Sequence, residues 1–171
     1  MNSGHGSRRC YRRKNTLKLI IPGDTTLQLR YLILDFNGTL ACDGALLEGV
    51  RPRLTTLAGH LDVHVLTGDT FGQARMALAG APCRLTVLPA ENQAEGKLRY
   101  IEQLGAHEAV CIGNGRNDRL ALKAAALGIA VIQTEGAAVE ALLAADIVLP
   151  SILPALDLLT HPLRLIATLR T

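Results

Sequence analysis

The stretch YLILDFNGTL, residues 31–40, reads as a short buried strand that runs directly into a polar turn. Tyr31-Leu32-Ile33-Leu34 is almost wholly apolar, as a strand covered on both faces must be. Asp35-Phe36-Asn37-Gly38-Thr39 follows with no spacer. The same construction recurs downstream: VHVL (63–66) leads into Thr67-Gly68-Asp69, and AVCI (109–112) into Gly113-Asn114-Gly115-Arg116-Asn117-Asp118. LTVL (85–88), IAVI (129–132) and DIVL (146–149) complete the apolar runs. Helix-period segments are expected between them, near 51–59, 71–80, 92–104, 117–127 and 136–144. This alternation predicts an α/β fold, a Rossmannoid three-layer α/β/α arrangement around a central, mainly parallel sheet. Upstream, LKLII and LQLRYLIL flank the turn signal Pro22-Gly23-Asp24 and predict an N-terminal β-hairpin. Residues 151–170, interrupted by Pro154 and Pro162, read as one or two helices on the sheet.

Charge separates the chain into two parts. The whole carries 18 basic and 15 acidic side chains, a formal +3. Residues 1–15 hold Arg8, Arg9, Arg12, Arg13 and Lys14 and no acid, so the body is net acidic. We read residues 1–15 as a flexible basic extension and residues 16–171 as one domain. The basic pI belongs to that extension, so no nucleic-acid partner is expected; 3% aromatic content and no Trp also argue against base stacking. No apolar run approaches the roughly 18 residues of a membrane span, so no membrane association is expected. The basic stretch is followed by an apolar run too short for a secretory signal. Cys10, Cys42, Cys83 and Cys111 lack metal or disulfide spacing and read as reduced thiols in a cytoplasmic protein. His60, His64 and His107 likewise lack ligand spacing.

In open α/β sheets, ligands bind beyond the carboxyl ends of the strands, where chain direction switches. If the strands after which these polar turns follow are neighbours, one pocket receives two carboxylates, a hydroxyl, several loop amides and the ammonium of Lys97 from the preceding helix. Such a set suits a phosphoryl group beside a divalent cation. Each piece alone has an ordinary reading. Asn37-Gly38 is a turn signal, Asp69, Asn117 and Asp118 are helix-capping residues, and Lys97 is a solvated helix residue. The arrangement in order is what carries the argument.

Those motifs together resemble the haloacid dehalogenase-like (HAD) superfamily, specifically its small soluble members close to the phosphorylation domain of P-type ATPases. LDFNGTL is similar to the first motif, LTGD (66–69) to the second, Lys97 to the third and GNGRND (113–118) to the fourth. The likeness spans about residues 17–150, and LACDG (40–44) resembles small capless sugar-phosphate phosphatases. It implies that Asp35 is a nucleophile forming an aspartyl-phosphate. It also implies Mg²⁺ held by Asp35, the Asn37 carbonyl and Asp118, with Asn114 at a further ligand position. Thr67, Gly68 and Asn117 would contact phosphoryl oxygens, Lys97 would neutralise their charge, and Gly38 would let the backbone turn closely around them.

Two departures bear on activity. Asn37 stands where the family has an acid/base Asp, and an amide cannot shuttle a proton, a contribution worth roughly 10²–10⁴-fold. Asn114 replaces an acidic metal ligand, which weakens charge attraction for Mg²⁺. Slow turnover of a small phosphorylated substrate is expected, with a non-catalytic phosphate- or partner-binding protein as the alternative. Only 31 residues separate Asp35 from Thr67 and 29 separate Thr67 from Lys97, all used by scaffold elements, so no cap domain or nucleotide-binding insertion fits. A homo-oligomer that covers the uncapped site is the corresponding expectation. A response-regulator receiver is disfavoured because its acidic ligands precede the phosphorylated Asp, and a dehalogenase because it needs a cap.

Overall fold

Leu17–Ile20 (β1) and Thr26–Leu29 (β2) pair antiparallel, Leu17 opposite Leu29, around the Pro22-Gly23 turn. The computed structural model describes residues 16–69 and 72–171; the basic extension expected over 1–15 lies outside them. LQLRYLIL is not one strand. It divides at Arg30, and Tyr31–Asp35 (β3) enters a different sheet. A small antiparallel flap, Ala41–Cys42 (β4) and Ala45–Leu46 (β5), follows the polar turn. Next come Val50–Leu57 (α1), Asp62–Thr67 (β6), Gln73–Ala77 (α2), Arg84–Val87 (β7), Gln93–Leu104 (α3) and Ala109–Gly113 (β8). Arg119–Ala124 (α4), Leu127–Val131 (β9), Val139–Ala144 (α5), Ile147–Leu149 (β10), Ile152–Thr160 (α6) and Pro162–Leu169 (α7) complete the chain.

The central sheet has six parallel strands in the order β10-β9-β8-β3-β6-β7. Side-chain alternation puts Leu32 and Leu34 of β3, and Val110 and Ile112 of β8, into one core with the hairpin, α1, α6 and α7. Ile33 and Cys111 point the other way, into a second core with Ile101 of α3, Leu122 of α4 and Ala141 of α5. Helices therefore cover both faces, as the continuous apolar strands require. The sequence expectation of a mainly parallel α/β/α fold with an N-terminal hairpin is borne out. Among the described residues no insertion large enough for a cap interrupts the scaffold, and the flap is the sole addition between β3 and α1.

The helices are shorter than periodicity suggests. Residues 116–118 form a 3₁₀ turn, so α4 starts at Arg119 rather than near 117. The helix expected over 71–80 is described only as α2. Pro154 lies in the first turn of α6 and Pro162 opens α7, positions at which the missing N–H breaks no helical bond, so 151–170 becomes two helices. Among the described residues no single helix is long and apolar enough to cross a membrane; α6 and α7 pass that test only as a pair bent by 103°. His64 is a core histidine, its Nδ1 2.8 Å from the Tyr100 hydroxyl.

Arg53 ties α1 to α6 through a two-pronged bond to Asp157, Nε to Oδ1 at 2.7 Å and Nη2 to Oδ2 at 2.9 Å. Both side chains are about one-third exposed, so solvent screens the pair. A double-mutant cycle of Arg53→Ala and Asp157→Ala, followed by urea unfolding, is expected to return a small favourable coupling that shrinks as salt is added. A coupling of zero would remove the pair from the account of how α6 docks.

Candidate active site

The sheet order makes β3 a switch point, because the chain proceeds from it to β6 on one side and to β8 on the other. Asp35, Thr67 and Gly113 are the last residues of β3, β6 and β8. The strands are parallel, with Asp35 paired to Leu66 and Leu34 to Ile112, so all three end at one edge of the sheet. The three polar turns are thus brought together, as their spacing alone could not establish.

Lys97 lies on the second turn of α3 and is only 2% exposed. Its Nζ donates to Asp35 Oδ1 at 2.5 Å and to Asp118 Oδ1 at 2.6 Å. Far from being a solvated helix residue, it is an ammonium buried between two carboxylates. Burial works to lower its pKa, but the two carboxylates outweigh it and hold the group above its ordinary value, so it stays charged. Asp35 is pushed up to about 7, first by burial and then by the Asp118 charge, with Lys97 opposing both. Asp118 Oδ2 accepts from the backbone N–H groups of Asn114 at 3.1 Å and Gly115 at 2.8 Å, so this carboxylate also shapes the loop that carries it.

The turn after β3 is packed onto the turn after β8. Gly38 is left-handed (φ 72°), and a Cβ there would run into the Asn114 carboxamide. The buried Thr39 hydroxyl lies 3.4 Å from Asp35 Oδ2 and 3.3 Å from Asn114 Oδ1. Both are acceptors and the hydroxyl has one proton, so it donates to one at a time. Asn114 Nδ2 donates to Gly136 O at 3.0 Å, and Gln133 Nε2 donates to Thr39 O, so the β9–α5 connection clasps both turns. Asn37 is exposed at the rim, its backbone bridged to Ala41.

On the other side of β3, Thr67 is buried and its Oγ1 accepts from the Asp69 N–H at 3.2 Å. Asp69 Oδ2 accepts from the Ala74 N–H at 2.7 Å in the first turn of α2, which is the capping role open to it in the sequence. Gly68 lies against the Gln93 side chain, and Asn117 Nδ2 donates to Gln93 Oε1 at 2.8 Å. Thr39, Gln93 and Gln133 were not singled out from the sequence. Thr39 sits inside the first motif. Gln93 precedes Lys97 by four residues, the spacing that places two side chains on one helix face. For Gln133 there is no local signal. Cys42, Asp43 and Glu135 also cluster, but on the exposed flap side, and desolvation with the neighbouring acidic charges raises the Cys42 thiol pKa.

The oxygen donors gathered here are the Asp35 and Asp118 carboxylates and the Asn114 carboxamide oxygen, a set that suits a hard divalent cation, with Asn37 two residues past Asp35 in the adjoining turn. Burial and, after it, the Asp118 charge disfavour the Asp35 anion, which such a cation would stabilise. The donor set therefore fits the metal that the sequence resemblance implies.

The parallel α/β sheet that carries these turns is similar in fold to solved structures. The cobalt-bound deoxy-D-mannose-octulosonate 8-phosphate phosphatase of Haemophilus influenzae superposes with a TM-score of 0.64 at 19% identity, covering 78% of this chain and 88% of that one. This is a HAD-like fold. The 3-deoxy-D-manno-octulosonate 8-phosphate phosphatase of Moraxella catarrhalis, in complex with magnesium, phosphate and KDO, gives 0.62 at 14% identity over 83% and 94% of the two chains. A zinc-transporting PIB-type ATPase gives 0.59 at 25% identity, but this chain spans only 20% of that pump. The chain is also 47% identical over 78 residues to the uncharacterized protein MJ0073 of Methanocaldococcus jannaschii, covering 43% of this chain and 84% of that one, and belongs to the same family as that protein. No protein-family model matches it.

Proposed function

We propose that this HAD-like chain is a phosphohydrolase that acts on a small phosphoric ester or acyl phosphate, with Asp35 as nucleophile and Mg²⁺ as the divalent cation. The observation that carries the reading is Lys97, buried with its ammonium between Asp35 and Asp118 at the switch point. Holding three charged groups there is expensive unless they act on a charged ligand. The structural likeness to phosphatases supports it.

In the first step an Asp35 oxygen bonds to phosphorus as the bond to the leaving oxygen breaks. The leaving group must take its proton from solvent, because Asn37 has none to give. Water then attacks phosphorus, the Asp35–phosphorus bond breaks, and the carboxylate and inorganic phosphate are regenerated. Lys97 offsets charge on the phosphoryl oxygens while Thr67, Gly68 and Asn117 orient them. Asp35, Asp118, Asn114 and the Asn37 carbonyl would hold the cation, which when bound lets an anionic carboxylate approach an anionic phosphoryl group. A second copy of the chain would cover the uncapped mouth, and a cytoplasmic setting accords with the free thiols of Cys42, Cys83 and Cys111.

Incubation with Mg²⁺ and acetyl phosphate or p-nitrophenyl phosphate is expected to release product and leave an acid-stable phosphoenzyme. Both signals should vanish in Asp35→Asn. The departure at Asn37 favours one other reading, a protein that binds phosphate or a partner without turnover; phosphate binding without product or phosphoenzyme would select it.

A further inference from the structure

Two groups to which the proposed function gives phosphate contacts lie in different turns, Gly68 after β6 and Asn117 after β8, on opposite sides of β3. One side chain touches both. Gln93 opens α3, one helical turn before Lys97 and on the same face. Its Oε1 accepts the Asn117 Nδ2 hydrogen at 2.8 Å. Its Nε2 end lies where a Cβ of residue 68 would stand. Gly68 has no left-handed φ. Its lack of a side chain is therefore explained by room for Gln93 rather than by backbone conformation.

We infer that Gln93 is a positioning residue of this site: its carboxamide bridges the β6 and β8 turns and orients the Asn117 amide toward a phosphoryl group held against Gly68. This rests on the phosphohydrolase reading. α3 then contributes twice, neutralising charge through Lys97 and fixing geometry through Gln93. The two functions are separable, because Lys97 contacts only carboxylates here while Gln93 contacts the loop that flanks them. An unheld Asn117 amide must be immobilised by the ligand itself, which weakens binding.

The test is a double-mutant cycle read by calorimetric titration of inorganic phosphate in the presence of Mg²⁺. Gln93→Ala and Asn117→Ala are each expected to weaken binding about tenfold, the size of one lost hydrogen bond to a charged group. The double variant should be little weaker than either, because Gln93 acts through Asn117. Thermal unfolding of Gln93→Ala should match the wild type; if it does not, Gln93→Met, equally long but without the polar ends, takes its place in the cycle. Wild-type binding that survives loss of Gln93, or two losses that simply multiply, overturns this inference and leaves the phosphohydrolase reading standing. No phosphate binding by the wild type overturns both.

Discussion

Replacing Lys97 by Met is expected to destabilise the protein by about 3–5 kcal/mol at neutral pH, the usual cost of stripping a buried charge of its partner. The Met side chain fills most of the vacated volume, so the loss is electrostatic rather than a cavity effect. Asp35 and Asp118 then face each other without an ammonium, where their oxygens now converge on Nζ at 2.5 and 2.6 Å. The pH dependence has a definite sign. Asp35 already titrates at about 7 rather than at the ordinary 3.8, with Lys97 pulling it down. Without Lys97 its folded pKa rises further. An acid whose folded pKa exceeds its unfolded one holds its proton in the native state, so stability is lost as pH climbs from about 4 upward. The deficit of Lys97→Met should therefore be smaller at pH 5, where Asp35 holds its proton in both proteins, and grow above about pH 7, where only the variant retains it. Guanidinium unfolding of both proteins at the two pH values measures it. A deficit that does not change with pH would show that Lys97 contributes packing rather than charge.

Asn37→Asp is expected to accelerate turnover of p-nitrophenyl phosphate by roughly 10²–10⁴-fold, the ordinary yield of a positioned general acid/base. Asn37 is two residues past Asp35 and exposed at the rim, where on the proposed reading a leaving group would depart and water would enter. Its amide supplies neither proton nor base. On the proposed reading the new carboxyl of the variant, in its protonated form, would give its proton to the leaving oxygen, and the carboxylate so formed would then activate water. Because the residue is solvent-facing, the exchange should leave stability nearly unchanged. The phosphoenzyme should correspondingly become shorter-lived, read as the decay of acid-stable phosphate after the substrate is removed. Equal lifetimes in the two proteins would mean that proton transfer does not limit the reaction and that the slow step lies elsewhere.

The site residues differ in how far they could be read in the chain. Asp35, Thr67 and the 113–118 loop stand directly after apolar runs whose periodicity marks them as strands, so their place at strand ends follows from local pattern. Lys97 could be placed on a helix by the same means. Its contacts could not, since Asp35 is 62 residues away and Asp118 is 21. Thr39 reaches Asn114 across 75 positions. Gln133 reaches Thr39 across 94, from a loop with no motif of its own. Such pairs depend on which strands are neighbours, and the apolar runs are nearly interchangeable in composition. LQLRYLIL shows the limit from the other side: one apolar pattern serves a hairpin strand and the central strand, and the break at Arg30 is set by pairing partners.

Secondary-structure alternation, the α/β class and the chemistry of the three polar turns are legible in the order of residues, because each depends on neighbours within a few positions, whereas the departure at Asn37 is visible only through the resemblance to the HAD-like motif. The seating of Lys97 between two carboxylates, the clasp from Gln133 and the bridge through Gln93 were decided by the strand order β8-β3-β6. Burial behind that order also turned ordinary acids and one lysine into a coupled set. Desolvation and charge proximity are properties of three-dimensional neighbours, and no spacing along the chain encodes them.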